Sequence, residues 1–159
     1  MNTALYIGRF QPFHLGHLSV VRAALKENDF LVIGVGSAET SNEDRNPLNF
    51  TQRWQLITAA LDEAQIPHAS YTIIPIRDIH DDERWVEHVR QLTPPFNKIY
   101  SGTPHVQTLF QKDGKHQVIT PIFKHDMCAT DIRAKIKTKE AWEQLVPPVT
   151  IPLIKSFYE

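Results

Sequence analysis

Cysteine is almost missing from this chain of 159 residues: Cys128 stands alone. One thiol excludes an internal disulfide and a cysteine-built zinc cage, and such usage suits a reducing cytoplasm. A surplus of either charge is missing too. Seventeen lysines and arginines face eighteen aspartates and glutamates, for a net charge of −1. A protein that lives by gripping a nucleic-acid backbone carries a basic excess, so nucleic acid is not the expected partner. Long apolar runs are also lacking. The longest, Phe30 to Val35, has Gly34 inside it and falls far short of the roughly 20 residues a membrane span requires. The opening MNTALYIGR has no charged lead, apolar stretch or small-residue cleavage site of the secretory kind. A cytoplasmic protein with no membrane partner is expected.

What is present is an alternation of two periodicities. Thr3–Gly8 (TALYIG) reads as a short buried strand that ends at glycine. His17–Glu27 carries apolar residues at 18, 20, 21, 24 and 25, a helical spacing. Phe30–Gly36, Tyr71–Ile76, Lys98–Ser101 and Gln117–Thr120 read as further strands. Helices are expected over Thr51–Ala64, Arg84–Leu92, from Pro104 onward and over Thr130–Thr138. Ser37–Asn49 is polar and turn-rich, a loop. The tail holds Ala141–Leu145 and then a stretch broken by Pro147, Pro148 and Pro152. Strand alternating with helix implies right-handed crossovers and a doubly wound, mostly parallel, Rossmann-like α/β sheet. No repeat or linker divides it, so residues 1–159 are expected to form a single domain. In such sheets ligands sit beyond the carboxyl ends of the strands, where the strand order reverses.

The first strand-to-helix junction reads Gly8-Arg9-Phe10-Gln11-Pro12-Phe13-His14-Leu15-Gly16-His17. His14 and His17 lie three apart at a helix mouth, so their rings share a side. Gly16 between them lacks a Cβ, which lets a bulky anion approach the helix-start amides. Two imidazoles, an arginine and the positive end of a helix can form a phosphate cradle. The same pair could instead be half of a zinc site or a structural helix cap. Neither the dinucleotide fingerprint nor the glycine-rich loop with lysine is present.

The HxGH signature after a first strand resembles the nucleotidyltransferase superfamily, and GRFQPFHLGH is similar to the archaeal-type nicotinamide-mononucleotide adenylyltransferases. The resemblance continues in order through Gly36-Ser37-Ala38, Arg45-Asn46-Pro47, IPIRDI at 74–79, Trp85-Val86, LTPPF at 92–96, Tyr100-Ser101-Gly102 and Thr130-Asp131-Ile132-Arg133. It implies adenylyl transfer from ATP to nicotinamide mononucleotide, with Mg²⁺ carried by the ATP phosphates. His14, His17 and Arg133 are implied to be catalytic. The ATP site is implied to draw on Gly8, Arg9, Phe10, His14, Gly16, His17, Arg45, Ser101, Gly102, Thr130 and Arg133. Ser37, Asp78, Ile79, Asp82, Trp85 and Phe123 are implied to receive the nicotinamide mononucleotide, the tryptophan stacking on the ring.

Several positions depart from that pattern. Cys128 stands where relatives often have serine, Ala129 where they have glycine or serine, Thr103 where asparagine is common, and Asp82 where a relative carries asparagine. Arg45 is implied to fold over the phosphates from the long loop. Arg53 matches a family arginine and fits a structural salt bridge equally well. The resemblance further implies a homo-oligomer, and at 159 residues the sequence is expected to be too short for the fused hydrolase domain that some bacterial relatives carry. Two other readings remain at this level: a sibling transferase for another phosphate acceptor, and a non-catalytic nucleotide sensor.

Overall fold

A computed structural model describes residues 1–122 and 128–159. Strands β1 (Thr3–Gly8) and β2 (Phe30–Val35) are short apolar runs whose side chains are buried on both faces. That is what parallel strands covered by helices on either side require. They are joined by β3 (Tyr71–Pro75), β4 (Lys98–Tyr100) and β5 (Gln117–Ile119) into one sheet of order β3-β2-β1-β4-β5, every pair parallel. Leu5 lies opposite Val32 on one side and Ile99 on the other.

Strand alternation sorts the core into two layers. Ala4, Tyr6, Leu31 and Ile33 pack on one face with α1 (Leu15–Glu27) and α2 (Phe50–Glu63). Leu5, Ile7, Val32 and Ile99 pack on the other with α3 (Asp82–Leu92) and α4 (Pro104–Asp113). A third apolar cluster joins Leu48 and Leu56 to α5 (Ala129–Thr138) and α6 (Ile151–Phe157) through Ile132 and Ile154.

The chain runs outward from β1 to β2 and β3, then returns to place β4 on the other edge of β1. The strand order therefore reverses between β1 and β4, and the crevice beyond their carboxyl ends is the expected ligand position.

Element boundaries differ from the periodicity in instructive ways. Helix α1 starts at Leu15 rather than His17, because His14 caps it. Helix α3 starts at Asp82 rather than Arg84, because the Asp81 carboxylate accepts the Glu83 amide hydrogen at 3.1 Å. Gly36, Ser101 and Thr120 fall just outside their strands. The proline-broken tail still forms α6, since Pro152 occupies its first turn, where a missing N–H costs nothing. The loop 37–49 holds no helix or strand, apart from one antiparallel bridge between Glu43 and Asn46.

Candidate active site

The β1–α1 junction builds its own scaffold. His14 is the N-cap of α1 in extended conformation, and its Nδ1 accepts the amide hydrogens of Gly16 at 3.0 Å and His17 at 3.3 Å. His17 answers: its Nδ1 accepts the His14 amide hydrogen at 3.1 Å. Two imidazoles thus make a reciprocal capping box, a task usually given to Ser or Thr with Glu or Gln. Their rings stack with centroids 3.6 Å apart and planes 24° from parallel. Because each Nδ1 is an acceptor, each neutral ring carries its proton on Nε2 and donates from there. Burial pushes His14 down to about 4. Burial, and secondarily His14, push His17 well below the ordinary imidazole value. Both rings are neutral donors at neutral pH.

Capping and cradle are therefore not alternatives, since the same rings do the first with one nitrogen and line the cavity beyond β1. Gly16 departs from expectation. It is buried, it lies outside that lining, and its amide is occupied by His14. Gly8 is glycine for a local reason: a Cβ there would stand 3.0 Å from the Phe10 ring. Phe10 adopts φ 52° and is buried, its ring meeting His17 edge-on at 4.9 Å.

The cavity, about 230 Å³, is lined by Arg9, the two histidines, Gly102 and Thr103 of the β4–α4 turn, and Thr130 and Arg133 of α5. Ser101 is buried behind it, its Oγ accepting the Thr103 amide hydrogen at 3.1 Å. Arg133 donates from Nη1 to the Gln11 carbonyl at 2.9 Å and from Nη2 to Thr130 Oγ1 at 3.2 Å. Arg9 is held below its ordinary value by burial and then by Arg45 and Arg133, with Asp78 opposing. Arg9 thus feels both other guanidiniums, although Arg45 lies outside this lining and faces a neighbouring cavity with Thr130 and Arg133. Arg45 itself is exposed in the loop 37–49. Cys128 occupies the N-cap position of α5 in the cavity wall, without a capping hydrogen bond from its side chain. Burial raises its thiol, yet the neighbouring Thr130 side chain and the amides of Thr130 and Asp131 outweigh this and hold it below its ordinary value. Those amides mark the start of α5 as a place that favours negative charge.

Two buried residues that sequence reasoning undervalued tie these parts together. Arg53 is fully buried on α2. It donates to the carbonyls of Arg9 at 3.0 Å, Gly36 at 2.8 Å, Ser37 at 3.0 Å and Asn49 at 3.3 Å. The salt bridge considered for it is replaced by backbone oxygens, which clamp the carboxyl ends of β1 and β2. Burial pushes it down to about 10, so it stays cationic at neutral pH. Gln11, also buried, donates to the Leu48 carbonyl and accepts its amide hydrogen, both at 2.9 Å. It fastens the loop that carries Arg45 to the first turn. Its signal was present in the sequence as a polar residue inside an apolar string.

A second cavity of about 230 Å³ opens between the starts of α3 and α4. Asp78, Ile79, Asp82 and Trp85 line it, as do Val106 and Leu109. Trp85 is half-buried with its ring edge-on to Phe110 at 5.9 Å and 83°, so it serves the core and the cavity wall at once. Ser37 lies outside the lining but reaches it by donating Oγ–H to Asp78 Oδ2 at 2.7 Å. His105, which the motif reading passed over, stands on the rim with Nε2 3.0 Å from Asp82 Oδ1. Phe123 lies outside the described residues. Among the described residues no group of three or more His, Cys, Asp or Glu side chains is placed to hold a metal, and no helix is long and apolar enough to cross a membrane.

The cytidylyltransferase-like family model matches residues 5–140. A protein of Methanosphaerula palustris named nicotinamide-nucleotide adenylyltransferase is 40% identical over 156 residues, 98% of this chain and 91% of that one. A namesake from Methanospirillum hungatei is 41% identical over 157 residues, 98% of this chain and 88% of the relative. Among solved structures, a bifunctional NMN adenylyltransferase/ADP ribose pyrophosphatase from Francisella tularensis superposes with TM-score 0.83 at 24% identity, over 99% of this chain. That likeness bears on the fold, and this chain spans 50% of that bifunctional protein's length.

Proposed function

The chain belongs to the cytidylyltransferase-like family, beside the archaeal nicotinamide-nucleotide adenylyltransferases, and from that premise we propose that it joins ATP and nicotinamide mononucleotide into NAD and pyrophosphate. The observation that carries this reading is a cavity lined by Arg9, Arg133 and neutral imidazole donors, with Arg45 in the adjoining loop close enough to Arg9 to act on its charge. Like charges gathered this way cost free energy until a polyanion fills the space between them.

The chemistry needs no protein nucleophile. An oxygen of the mononucleotide 5′-phosphate forms the new bond to the α-phosphorus of ATP. The bond from that phosphorus to its bridging oxygen breaks, and pyrophosphate leaves with the electron pair. Catalysis then consists of alignment and of stabilising charge on the phosphoryl oxygens. The three arginines supply the charge. The imidazoles supply dipoles, because a second proton on either ring would have to sit on Nδ1 and face the amide hydrogens of the capping box. The Trp85 wall and acidic rim of the second cavity suit a cationic pyridinium.

Mg²⁺ fits this donor set as a companion of the phosphates. The lining beyond β1, among the described residues, offers guanidinium, imidazole and backbone groups rather than carboxylates, so phosphate oxygens and water would hold the ion. Bound there it would neutralise phosphate charge. A single cysteine fits a reducing cytoplasm. Trp54 on α2 and Val149 in the turn packed on α2 are exposed apolar surface that a homo-oligomer would cover, and light scattering tests that. The reaction itself is tested by chromatography of purified protein with ATP, Mg²⁺ and a panel of phosphorylated acceptors. NAD formation from nicotinamide mononucleotide is expected. Turnover of a different acceptor alone, or nucleotide binding without turnover, would overturn the reading.

A further inference from the structure

Helix α5 carries its polar residues beyond the first cavity. Thr130, Arg133 and Lys137 follow one another at helical spacing and so share one face. Thr130 and Arg133 line the first cavity, and both also wall a third one beside it, of about 600 Å³, more than twice the first. Lys137 and Lys139 line this third cavity from the end of α5, Asp44 and Arg45 from the loop 37–49, and Tyr158 from the C-cap of α6. Among the described residues, four cations thus face one carboxylate. Asp44 comes within 3.9 Å of Lys137, but both side chains are largely exposed, so the pair holds the lysine only weakly.

Two details set this lining apart from an ordinary solvated helix face. Cations in a last turn suit the helix dipole wherever they point, and Lys135 serves that end from outside the lining. Lys137 instead lies one turn beyond Arg133, on the cavity side. The second detail is Tyr158. Its hydroxyl is buried without a hydrogen-bond partner among the described residues, an arrangement that native proteins rarely leave uncompensated. Burial pushes it up to about 12, with the Arg133 charge opposing, so at neutral pH it is a protonated donor. Cations and a donor without a matching acceptor call for an anion that reaches past Arg133.

Resting on the reading that the first cavity holds the phosphates of ATP, we propose that the third cavity receives a fourth phosphate group, so that the protein also uses adenosine 5′-tetraphosphate as adenylyl donor. The nucleophile and the reacting phosphorus stay the same. An oxygen of the mononucleotide 5′-phosphate forms its bond to the α-phosphorus, and the bond from that phosphorus to its bridging oxygen breaks. Inorganic tripolyphosphate leaves with the electron pair. The phosphates that the first cavity holds are common to both donors, so its hydrogen-bond donors need not move. Only the terminal group differs, and it lies against Lys137, Lys139 and the Tyr158 hydroxyl. The added negative charge of the longer chain is offset by the two lysines.

The test compares two donors. Full-length protein is given nicotinamide mononucleotide, Mg²⁺ and either ATP or adenosine 5′-tetraphosphate. NAD is read by liquid chromatography and the inorganic product by ion chromatography. The tetraphosphate should give NAD with a kcat/KM no more than about tenfold below that of ATP, and one tripolyphosphate should appear for each NAD. Lys139 has φ 59°, a conformation that asparagine tolerates, so the double variant Lys137→Gln with Lys139→Asn removes both charges without straining the turn. It should lower kcat/KM for the tetraphosphate about tenfold and leave that for ATP unchanged. Should the double variant unfold, Lys137→Gln alone replaces it. Tyr158→Phe should act in the same direction with no loss of melting temperature, since the hydroxyl it removes has no partner among the described residues. Lys135→Ala should change neither donor. Pyrophosphate as the inorganic product, no NAD from the tetraphosphate, or a loss shared by both donors would overturn the proposal, as would a tetraphosphate-specific loss in Lys135→Ala. In each of those outcomes ATP still yields NAD, whereas failure of the functional reading would leave ATP without product.

Discussion

The two cavities at the carboxyl edge of the sheet are similar in size and opposite in construction. Around the first, the groups that shape the wall are buried and multiply bonded. His14, Gln11 and Arg53 each spend two or more hydrogen bonds on the backbone. The charge there is positive. Around the second, the rim is acidic, and its central contact lies between exposed side chains. On the proposed function the contrast would follow from the ligands. A phosphate chain is the same in every catalytic cycle and gains from donors that do not reorganise.

Variants on either side should separate accordingly. The largest effect is expected from Arg133→Ala. It should lower kcat/KM about 1,000-fold, roughly 4 kcal/mol, by removing a charged donor to the reacting phosphates. Steady-state kinetics showing less than a tenfold loss would return Arg133 to the role of bracing Gln11.

Acid should come next, and it should act on the first cavity. Unfolded His14 takes its proton near 6.5 and folded His14 near 4, so below 6.5 the unfolded chain binds more protons. Stability is complete above the unfolded value and is lost as pH falls toward 4, by roughly 3 kcal/mol for this one ring. His17 acts in the same direction. Urea midpoints between pH 7.5 and 4 should show the slope. His14→Asn, which keeps an N-cap acceptor, should flatten it.

His17→Gln separates cap from chemistry, because glutamine at this position can complete a capping box while lacking an imidazole. Turnover should fall about 100-fold, roughly 2.7 kcal/mol, while the melting temperature stays near the wild-type value. Equal loss of both would assign His17 to the scaffold alone. The smallest change is expected on the other side. Trp85→Ala should raise the KM for nicotinamide mononucleotide about tenfold, roughly 1.4 kcal/mol, and leave the KM for ATP nearly unaltered. A matching rise in both would mark the tryptophan as a core residue through its Phe110 contact.

Much of this was readable from residue order. The alternation of strands and helices, the glycine that ends β1, and the basic residues at strand exits all follow from local composition. Helix starts were less legible. The apolar period of α1 begins after its cap, and histidine is not among the residues that ordinarily signal one. The partners of Arg53 were not legible at all, since backbone carbonyls carry no sequence signature. The His105–Asp82 contact joins positions 23 residues apart on two helices, and no local pattern announces it.

Order along the chain thus settled which chemical groups were available and the type of sheet that would present them, because periodicity and strand-exit motifs are short-range properties. Which nitrogen of each histidine faces the backbone, how Arg9 and Arg133 from distant segments come to share one cavity, and which carboxylate meets an imidazole were settled by packing. Each depends on distances between segments that meet only when the sheet has closed over its two cores.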